Sequence, residues 1–156
     1  MDAALSGIKK QYDNDFYFGV KLDSVAEYYP EAAAVKTGWQ EENGKKFYYN
    51  ANGQKVSGWQ KIGVAWYWFA ADGVMATNQW ITDQGTYWVN GSGIMVSNNW
   101  IQVKGSWYYL LGDGRRAENR WVYARDKKWY YLGKSGVMLT NTTTPDGYRV
   151  DKNGVW

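Results

Sequence analysis

Tryptophan recurs at a nearly constant interval along most of this 156-residue chain. Trp39, Trp59, Trp80, Trp100 and Trp121 are separated by 20, 21, 20 and 21 residues. Self-similarity at a short fixed period is the signature of a repeat protein, in which each unit contacts mainly its neighbours. We therefore expect a stack of small units rather than a domain built around one central core.

Each of these lone tryptophans is followed by an aromatic cluster and then by a turn. The clusters are residues 47–49, 66–69, 87–88, 107–109 and 129–131. The turn glycines, each preceded by Asn, Asp or Ser, are Gly53, Gly73, Gly93, Gly114, Gly136 and, in a last partial unit, Gly154. Asn-Gly and Asp-Gly supply the positive φ angles that tight turns require. The pattern predicts five units and a C-terminal partial unit.

Positions in the aromatic strand are numbered so that position one lies seven residues before the turn glycine. Position one is then Lys46, Trp66, Thr86, Trp107, Trp129 and Gly147. Position two is always aromatic: Phe47, Tyr67, Tyr87, Tyr108, Tyr130 and Tyr148. Consecutive aromatic residues place rings on both faces of a strand, because successive side chains point to opposite sides.

A second set of turns lies between each lone tryptophan and its aromatic cluster. These turns contain Asn43-Gly44, Gly63, Gln84-Gly85 and Lys104-Gly105, whereas Asp126-Lys127 departs from the pattern. Each unit is therefore a short β-hairpin, and an isolated hairpin is marginal in water unless it stacks on neighbours. We predict an all-β solenoid of stacked short hairpins over residues 37–156, with repeats of about 20 residues.

Residues 1–36 fit the repeat less well. Ala33 stands where the turn glycine is expected, and Pro30 followed by residues 31–35 favours a short helix with proline in its first turn. Residues 15–18 could supply one further strand. We interpret residues 1–36 as a divergent cap or the remnant of an upstream segment.

Composition argues against catalysis within this chain. There is no His and no Cys, so the commonest general base, the commonest metal ligand and the usual nucleophile–base pairs are missing. Aspartates such as Asp72 and Asp113 lie in turns, where Asp is favoured for backbone reasons. We predict a non-catalytic binding module that uses no metal and no cofactor.

Charge and hydropathy limit the partners. The net charge of +3 comes from 18 basic and 15 acidic residues scattered in small groups, which does not indicate a nucleic-acid surface. No apolar run is long enough to insert into a membrane. We therefore expect neither nucleic acid nor direct membrane insertion.

The unit made of Gly58-Trp59, residues 66–69 and residues 72–77 resembles the choline-binding, or cell-wall-binding, repeat of pneumococcal and phage surface proteins and lysins. Residues 141–156 resemble the C-terminal end of choline-binding adhesins, and the resemblance covers about residues 37–156. It implies non-covalent attachment to choline on teichoic or lipoteichoic acid, outside the cell at the bacterial cell wall. Choline-linked dimerisation and binding of a host or partner protein through residues 1–36 are further hypotheses.

In this family choline lies in aromatic cages between consecutive units. A cage draws on the lone tryptophan, on position one of the same unit and on an aromatic residue of the following unit. We assign that last residue to position three, because positions one and three share a face, and we assign position two to packing. The complete cages on this mapping are Trp59, Trp66 and Trp88, and Trp100, Trp107 and Tyr131.

The other candidate sites are incomplete. They combine Trp39 and Trp68 with Lys46, Trp80 and Tyr109 with Thr86, and Trp121 and Trp129 with Arg149. Met75, Met95 and Met138, two residues after a turn glycine, are assigned as a lid or floor of the cages or as packing residues.

Two alternatives remain open for the ligand. A quaternary ammonium cannot donate a hydrogen bond, so it must be recognised by aromatic faces, as paired tryptophan walls allow. Sugars also stack on such rings, as in the repeats of glucan-binding glucosyltransferases and clostridial toxins, but their specificity requires converging polar groups. The first alternative to a choline-binding module is a carbohydrate-binding repeat. The second is an adhesin segment that binds a host protein.

Overall fold

The computed structural model describes residues 35–156, which form six consecutive antiparallel hairpins. The strands are β1 Gly38–Glu42, β2 Lys45–Tyr49, β3 Gly58–Ile62, β4 Ala65–Phe69, β5 Gln79–Thr82, β6 Thr86–Val89, β7 Asn99–Val103, β8 Ser106–Leu110, β9 Arg120–Tyr123, β10 Trp129–Leu132, β11 Thr142–Thr143 and β12 Arg149–Val150. Each consecutive pair of strands is a separate two-stranded sheet. The predicted all-β solenoid of five units and a smaller sixth is confirmed.

Residues 35–156 contain no helix, and hence no helical segment that could cross a membrane. The short helix predicted from Pro30 and the strand predicted at residues 15–18 lie outside the described residues.

The register within each hairpin gives it two different faces. Each lone tryptophan lies directly opposite position three of its own unit, as in the pairs Trp59 with Trp68 and Trp100 with Tyr109. Opposite residues point to the same side of a hairpin, and neighbours along a strand point to opposite sides. Face A therefore carries the lone tryptophan and positions one and three, and face B carries positions two and four.

The units stack with face A of one hairpin against face B of the next. Position four is the fully buried column, formed by Phe69, Val89, Leu110, Leu132 and Val150. Tyr109 of one unit packs in a cluster with Val122 and Leu132 of the following unit, and Trp68 packs against the cluster that contains Ile81 and Val89 of the following unit. Full burial of such a side chain contributes about 1.5–3 kcal/mol to the stability of the fold. Because these side chains are buried between consecutive units, the core of this protein is its series of junctions.

The segment after each turn glycine ties one unit to the preceding one. We call the second residue after that glycine the lid position; it is Lys55, Met75, Met95, Arg116, Met138 and Trp156. From the second unit on, its backbone N–H donates to the carbonyl of position one in the preceding unit, at 2.7–3.1 Å. The five junctions are thus held by the same hydrogen bond.

The turn glycines are required for conformation and for space. Gly114 has φ of +85°, a left-handed conformation that strains any residue with a Cβ. A Cβ at this position would also lie 2.6 Å from Cε of Met95, the lid residue of the preceding unit. The lid side chain therefore packs beneath the next turn, and that close approach depends on glycine.

Candidate ligand-binding grooves

Five grooves lie between the six hairpins, and each is lined by rings from two units. In every groove the lone tryptophan meets the position-two ring of the following unit. The ring centroids are 5.0 Å apart for Trp39 and Tyr67, 5.2 Å for Trp59 and Tyr87, 5.0 Å for Trp80 and Tyr108, 5.0 Å for Trp100 and Tyr130, and 6.0 Å for Trp121 and Tyr148. The rings stand nearly perpendicular, a preferred arrangement for aromatic pairs.

The following unit presents position two, rather than the predicted position three, to the lone tryptophan of each groove. Positions one and three do share a face, but that face belongs to their own unit's groove. Because hairpins stack face A on face B, the following unit presents the opposite face, and the ring that reaches the groove is at position two. The position-two tyrosines, predicted to be packing residues, are therefore groove walls as well.

The four position-three residues that the mapping placed in a preceding cage pair instead with the lone tryptophan of their own unit. The centroid distances are 5.3 Å for Trp68 with Trp59, 5.1 Å for Trp88 with Trp80, 5.1 Å for Tyr109 with Trp100, and 5.3 Å for Tyr131 with Trp121. Tyr109 and Tyr131 are 4% and 8% exposed. Position three thus supports the tryptophan from the core side.

The fourth groove is a cavity with aromatic side chains on several walls. It encloses about 420 Å³ between Trp100, Trp107, Tyr130 and the lid residue Met138. The centroids of Trp100 and Trp107 are 6.5 Å apart at 86°, and Trp107 is 43% exposed, so its ring forms an outer wall. A volume of this size lies within the range of small-molecule sites.

A carboxylate lies at the edge of the fourth groove. The Tyr130 hydroxyl donates to Oδ2 of Asp126 at 2.6 Å. Burial, and secondarily this hydrogen bond, raise the pKa of Tyr130 to about 12, so the phenol stays neutral. The cavity is lined by one charged side chain of each sign, Arg125 and Asp126, so the preference for a cationic ligand comes from the aromatic walls.

The second groove repeats this composition. It brings together Trp59, Tyr87 and the lid residue Met95, with Trp66 at position one and 40% exposed. The Tyr87 hydroxyl accepts a hydrogen bond from Nε of Arg115 at 3.2 Å, which raises the pKa of Arg115. The ring of Tyr87 is thus fixed at its outer end.

The first groove differs at position one. Its cavity of about 320 Å³ is lined by Trp39, Tyr67, Met75 and Lys46. Lys46 therefore takes the position at which the second and fourth grooves have an indole, and Glu41, which lies opposite it in the hairpin, lines the same cavity.

The fifth groove is built from four aromatic residues. Trp156 occupies the lid position, and its ring lies 6.0 Å from Trp121 and 5.5 Å from Tyr148. Trp129 at position one contacts Tyr123 of the same hairpin at 5.1 Å. Arg149, expected to face this groove, instead donates to Oδ1 of Asn141 at 3.3 Å.

A carboxylate of the following unit holds Trp121 in place. Its indole N–H donates to Oδ2 of Asp146 at 2.8 Å, while the Thr144 hydroxyl donates to the other oxygen at 2.6 Å. These two hydrogen bonds, that of Thr144 first, lower the pKa of Asp146. The fifth groove thus contains rings that sequence reasoning missed, although the spacing of Trp156 from Gly154 matches that of the lid methionines.

In the third groove Thr86 takes the place of the outer wall, and the lid residue is Arg116. The guanidinium carbon lies 5.1 Å from the ring centroid of Trp80 and 5.9 Å from that of Tyr108. This groove therefore already contains a cation.

Family comparisons match nearly all of the described chain. A choline-binding repeat model matches residues 36–80 and 56–100, a second choline-binding repeat model matches residues 117–156, and a cell wall binding repeat model matches residues 98–115. No curated protein sequence gives a significant match.

Solved structures with the same fold include three proteins of Streptococcus pneumoniae. Choline binding protein F is 37% identical over 78% of this chain and 40% of its own, with a TM-score of 0.66. CbpJ is 35% identical over 78% of this chain and 41% of its own, with a TM-score of 0.66. The modular autolysin LytC is 31% identical over 76% of this chain and 28% of its own, with a TM-score of 0.69. This chain thus spans 28% to 41% of the length of these proteins.

Stacked hairpins with aromatic grooves, together with these matches, define a cell-wall-binding repeat module. The chain belongs to the family of choline-binding repeats, whose members are associated with the cell surface or the cell wall.

Proposed function

We propose that residues 37–156 attach their protein non-covalently to choline on teichoic or lipoteichoic acid, at the outer surface of a bacterial cell and without catalysing a reaction. The observation that carries this proposal is the composition of the second and fourth grooves. Each combines a lone tryptophan, an exposed tryptophan at position one, a tyrosine from the next unit and a methionine lid. Trimethylammonium groups require ring faces and apolar contact of this kind.

The magnitudes agree with a weak site that is used several times. A desolvated cation–π contact contributes about 2 kcal/mol. Three walls, less the cost of immobilising the ligand, leave about 4 kcal/mol, which corresponds to a millimolar dissociation constant. On a polymer that carries many cholines, binding at one groove raises the effective concentration at the next.

The observed stacking supports a revised choice of ligand-binding residues. We assign the main sites to Trp59, Trp66 and Tyr87 and to Trp100, Trp107 and Tyr130. Trp88 and Tyr131 become supporting residues that pack beneath the tryptophan of their own unit.

The remaining grooves are graded by their walls. The fifth groove, with Trp121, Trp129, Tyr148 and Trp156, is a further aromatic site. The first groove is weaker, because it lacks an aromatic residue at position one and is lined there by Lys46 and Glu41.

The test compares choline with salt and with sugar. Choline chloride should quench tryptophan fluorescence saturably and raise the melting temperature, because a ligand that binds the native state stabilises it. Equal concentrations of sodium chloride or glucose should do neither. The matched variant is Trp66→Ala/Trp107→Ala, which removes both exposed outer walls and should lose most of the choline response. An equal response to glucose would refute choline specificity and favour the glucan-binding alternative.

A further inference from the structure

The lid position differs in chemical character between units. It is methionine in the second, third and fifth units, and it is arginine in the fourth. All of these residues make the same backbone hydrogen bond to the preceding unit, so the side chain of Arg116 enters the third groove from the place where Met138 enters the fourth.

The Arg116 side chain is held in the third groove by several contacts. Its guanidinium carbon lies 5.1 Å from the ring centroid of Trp80 and 5.9 Å from that of Tyr108, within cation–π range of both. Nε and Nη2 donate to Oε1 of Glu118 at 2.9 and 2.5 Å. The side chain is 19% exposed. The cation is thus largely withdrawn from water, covered by rings and neutralised by a carboxylate of its own unit.

The cavity beside Arg116 does not reach the aromatic rings of this groove. In the first and fourth grooves the lone tryptophan and the position-two tyrosine both line the cavity. The third cavity, of about 490 Å³, is lined by Thr86, Arg116 and Glu118 among other polar residues, and neither Trp80 nor Tyr108 lines it. This cavity is therefore mainly polar and lies outside the Trp80 and Tyr108 rings.

The first unit repeats the arrangement with a lysine. Lys55 is the lid residue there, and its ammonium nitrogen lies 3.5 Å from the ring centroid of Phe47, which is at position two. Its Nζ also lies 3.2 Å from Oε2 of Glu42. Both cationic lid residues described here therefore lie over the position-two ring of their own unit and pair with a carboxylate.

We infer that Arg116 is a built-in ligand of the third groove, which it closes to external cations, and that the lid residue decides whether a groove is open. The inference rests on the proposed function for the identity of the external cation. A methionine lid adds apolar contact and leaves the ring faces free, whereas an arginine lid supplies the positive charge itself. The third junction is then a structural joint between open grooves on either side.

An empty third groove could result from the missing aromatic wall at position one or from the Arg116 side chain, and two variants distinguish these causes. Thr86→Trp restores an aromatic residue at position one and keeps Arg116. Thr86→Trp/Arg116→Met restores the wall and removes the internal cation. Crystal structures at saturating choline chloride count the occupied grooves directly, and near-ultraviolet circular dichroism checks the fold. We expect no choline in the third groove of the wild type or of the single variant, and one added choline there in the double variant.

A reciprocal variant closes an open groove. Met138→Arg/Thr140→Glu places the same pair in the fifth unit, at the spacing of Arg116 and Glu118. It should empty the fourth groove and leave the second occupied. In the wild type, the Hδ resonances of Arg116 should be shifted upfield by the neighbouring rings and should not move during a choline titration.

The outcomes distinguish this inference from the proposed function. If the wild type binds no choline in any groove, the proposed function fails. If its second groove binds choline, the inference is refuted by choline in the third groove of the wild type or the single variant. It is equally refuted by an empty third groove in a folded double variant, or by Arg116 resonances that follow the choline titration.

Discussion

Tyr130 and Tyr131 are neighbours in one strand, and the stacking of the hairpins gives them different roles. Tyr130 faces back to Trp100 and lines the fourth groove, whereas Tyr131 faces forward, is 8% exposed and packs against Trp121. Replacing each in turn by alanine should therefore separate ligand binding from folding. Tyr130→Ala should weaken choline binding at the fourth groove, and Tyr131→Ala should mainly destabilise the solenoid.

The magnitudes make the two effects distinguishable. Loss of the Tyr130 ring removes one wall, about 2 kcal/mol of cation–π interaction, which corresponds to roughly 30-fold weaker binding at that groove. Loss of a buried aromatic side chain such as Tyr131 costs about 3–5 kcal/mol of unfolding free energy. At about 4 °C per kcal/mol, the melting temperature should fall by roughly 12–20 °C.

The assay follows the indole N–H resonances of Trp100 and Trp107 during a choline titration, with thermal unfolding measured in parallel. Tyr130→Phe is the matched control, because it keeps the ring and loses only the hydrogen bond to Asp126, so its affinity should stay near that of the wild type. The stacking of face A on face B would be refuted if Tyr131→Ala abolished the choline response of the fourth groove at an unchanged melting temperature, while Tyr130→Ala bound choline normally.

Three further predictions concern other parts of the solenoid. Trp107→Ala should reduce affinity at the fourth groove by roughly 30-fold with a small change in melting temperature, because this ring is an exposed wall; a large stability loss in thermal unfolding would contradict that role. Gly114→Ala should lower the unfolding free energy by more than about 1 kcal/mol, measured by urea titration, because φ is +85° and the new Cβ would meet Met95; unchanged stability would contradict the close approach. Hydrogen bonds from Lys36, Tyr49 and Lys55 lower the pKa of Glu42 to about 2, so its stabilisation of the first hairpin should be present above about pH 4.5 and be lost as the pH falls toward 2. The amide protection factors in that hairpin, which are corrected for the intrinsic slowing of exchange at low pH, should then fall on acidification in the wild type but not in Glu42→Gln.

The sequence allowed the fold to be predicted because each unit's strands and turns are specified locally. Asn43-Gly44 and the turn glycines mark where the chain must reverse direction. Such turns require positive φ angles, and Gly44 and Gly114, for example, have φ of +71° and +85°. The regular spacing of the tryptophans then predicts that the units are equivalent. These signals depend on residues within about twenty positions of one another, so no long-range information was needed.

The composition of the grooves depended on information that a single unit does not contain. Alternation along a strand correctly placed Trp107 and Tyr109 on one face, but it left open which face of the next hairpin lies opposite. The two stacking orders exchange Tyr130 for Tyr131, and local propensity does not distinguish them. The sequence does contain one usable signal, because position two is aromatic in every unit. This holds even in the first and third units, where position one is Lys46 and Thr86, so the position-two ring indicates a role that all junctions share.

Because every groove takes its walls from two hairpins, ligand sites in this protein belong to junctions rather than to units. The β11–β12 hairpin illustrates the consequence. Its strands have two residues each and exchange few ladder hydrogen bonds, so it contributes little as a sheet. It nevertheless supplies Tyr148 and Trp156, without which Trp121 would have no partner ring from a following unit. A variant that changes one hairpin should accordingly alter two neighbouring grooves, one through face A and the other through face B. Binding capacity should be counted by the intact junctions whose grooves are open.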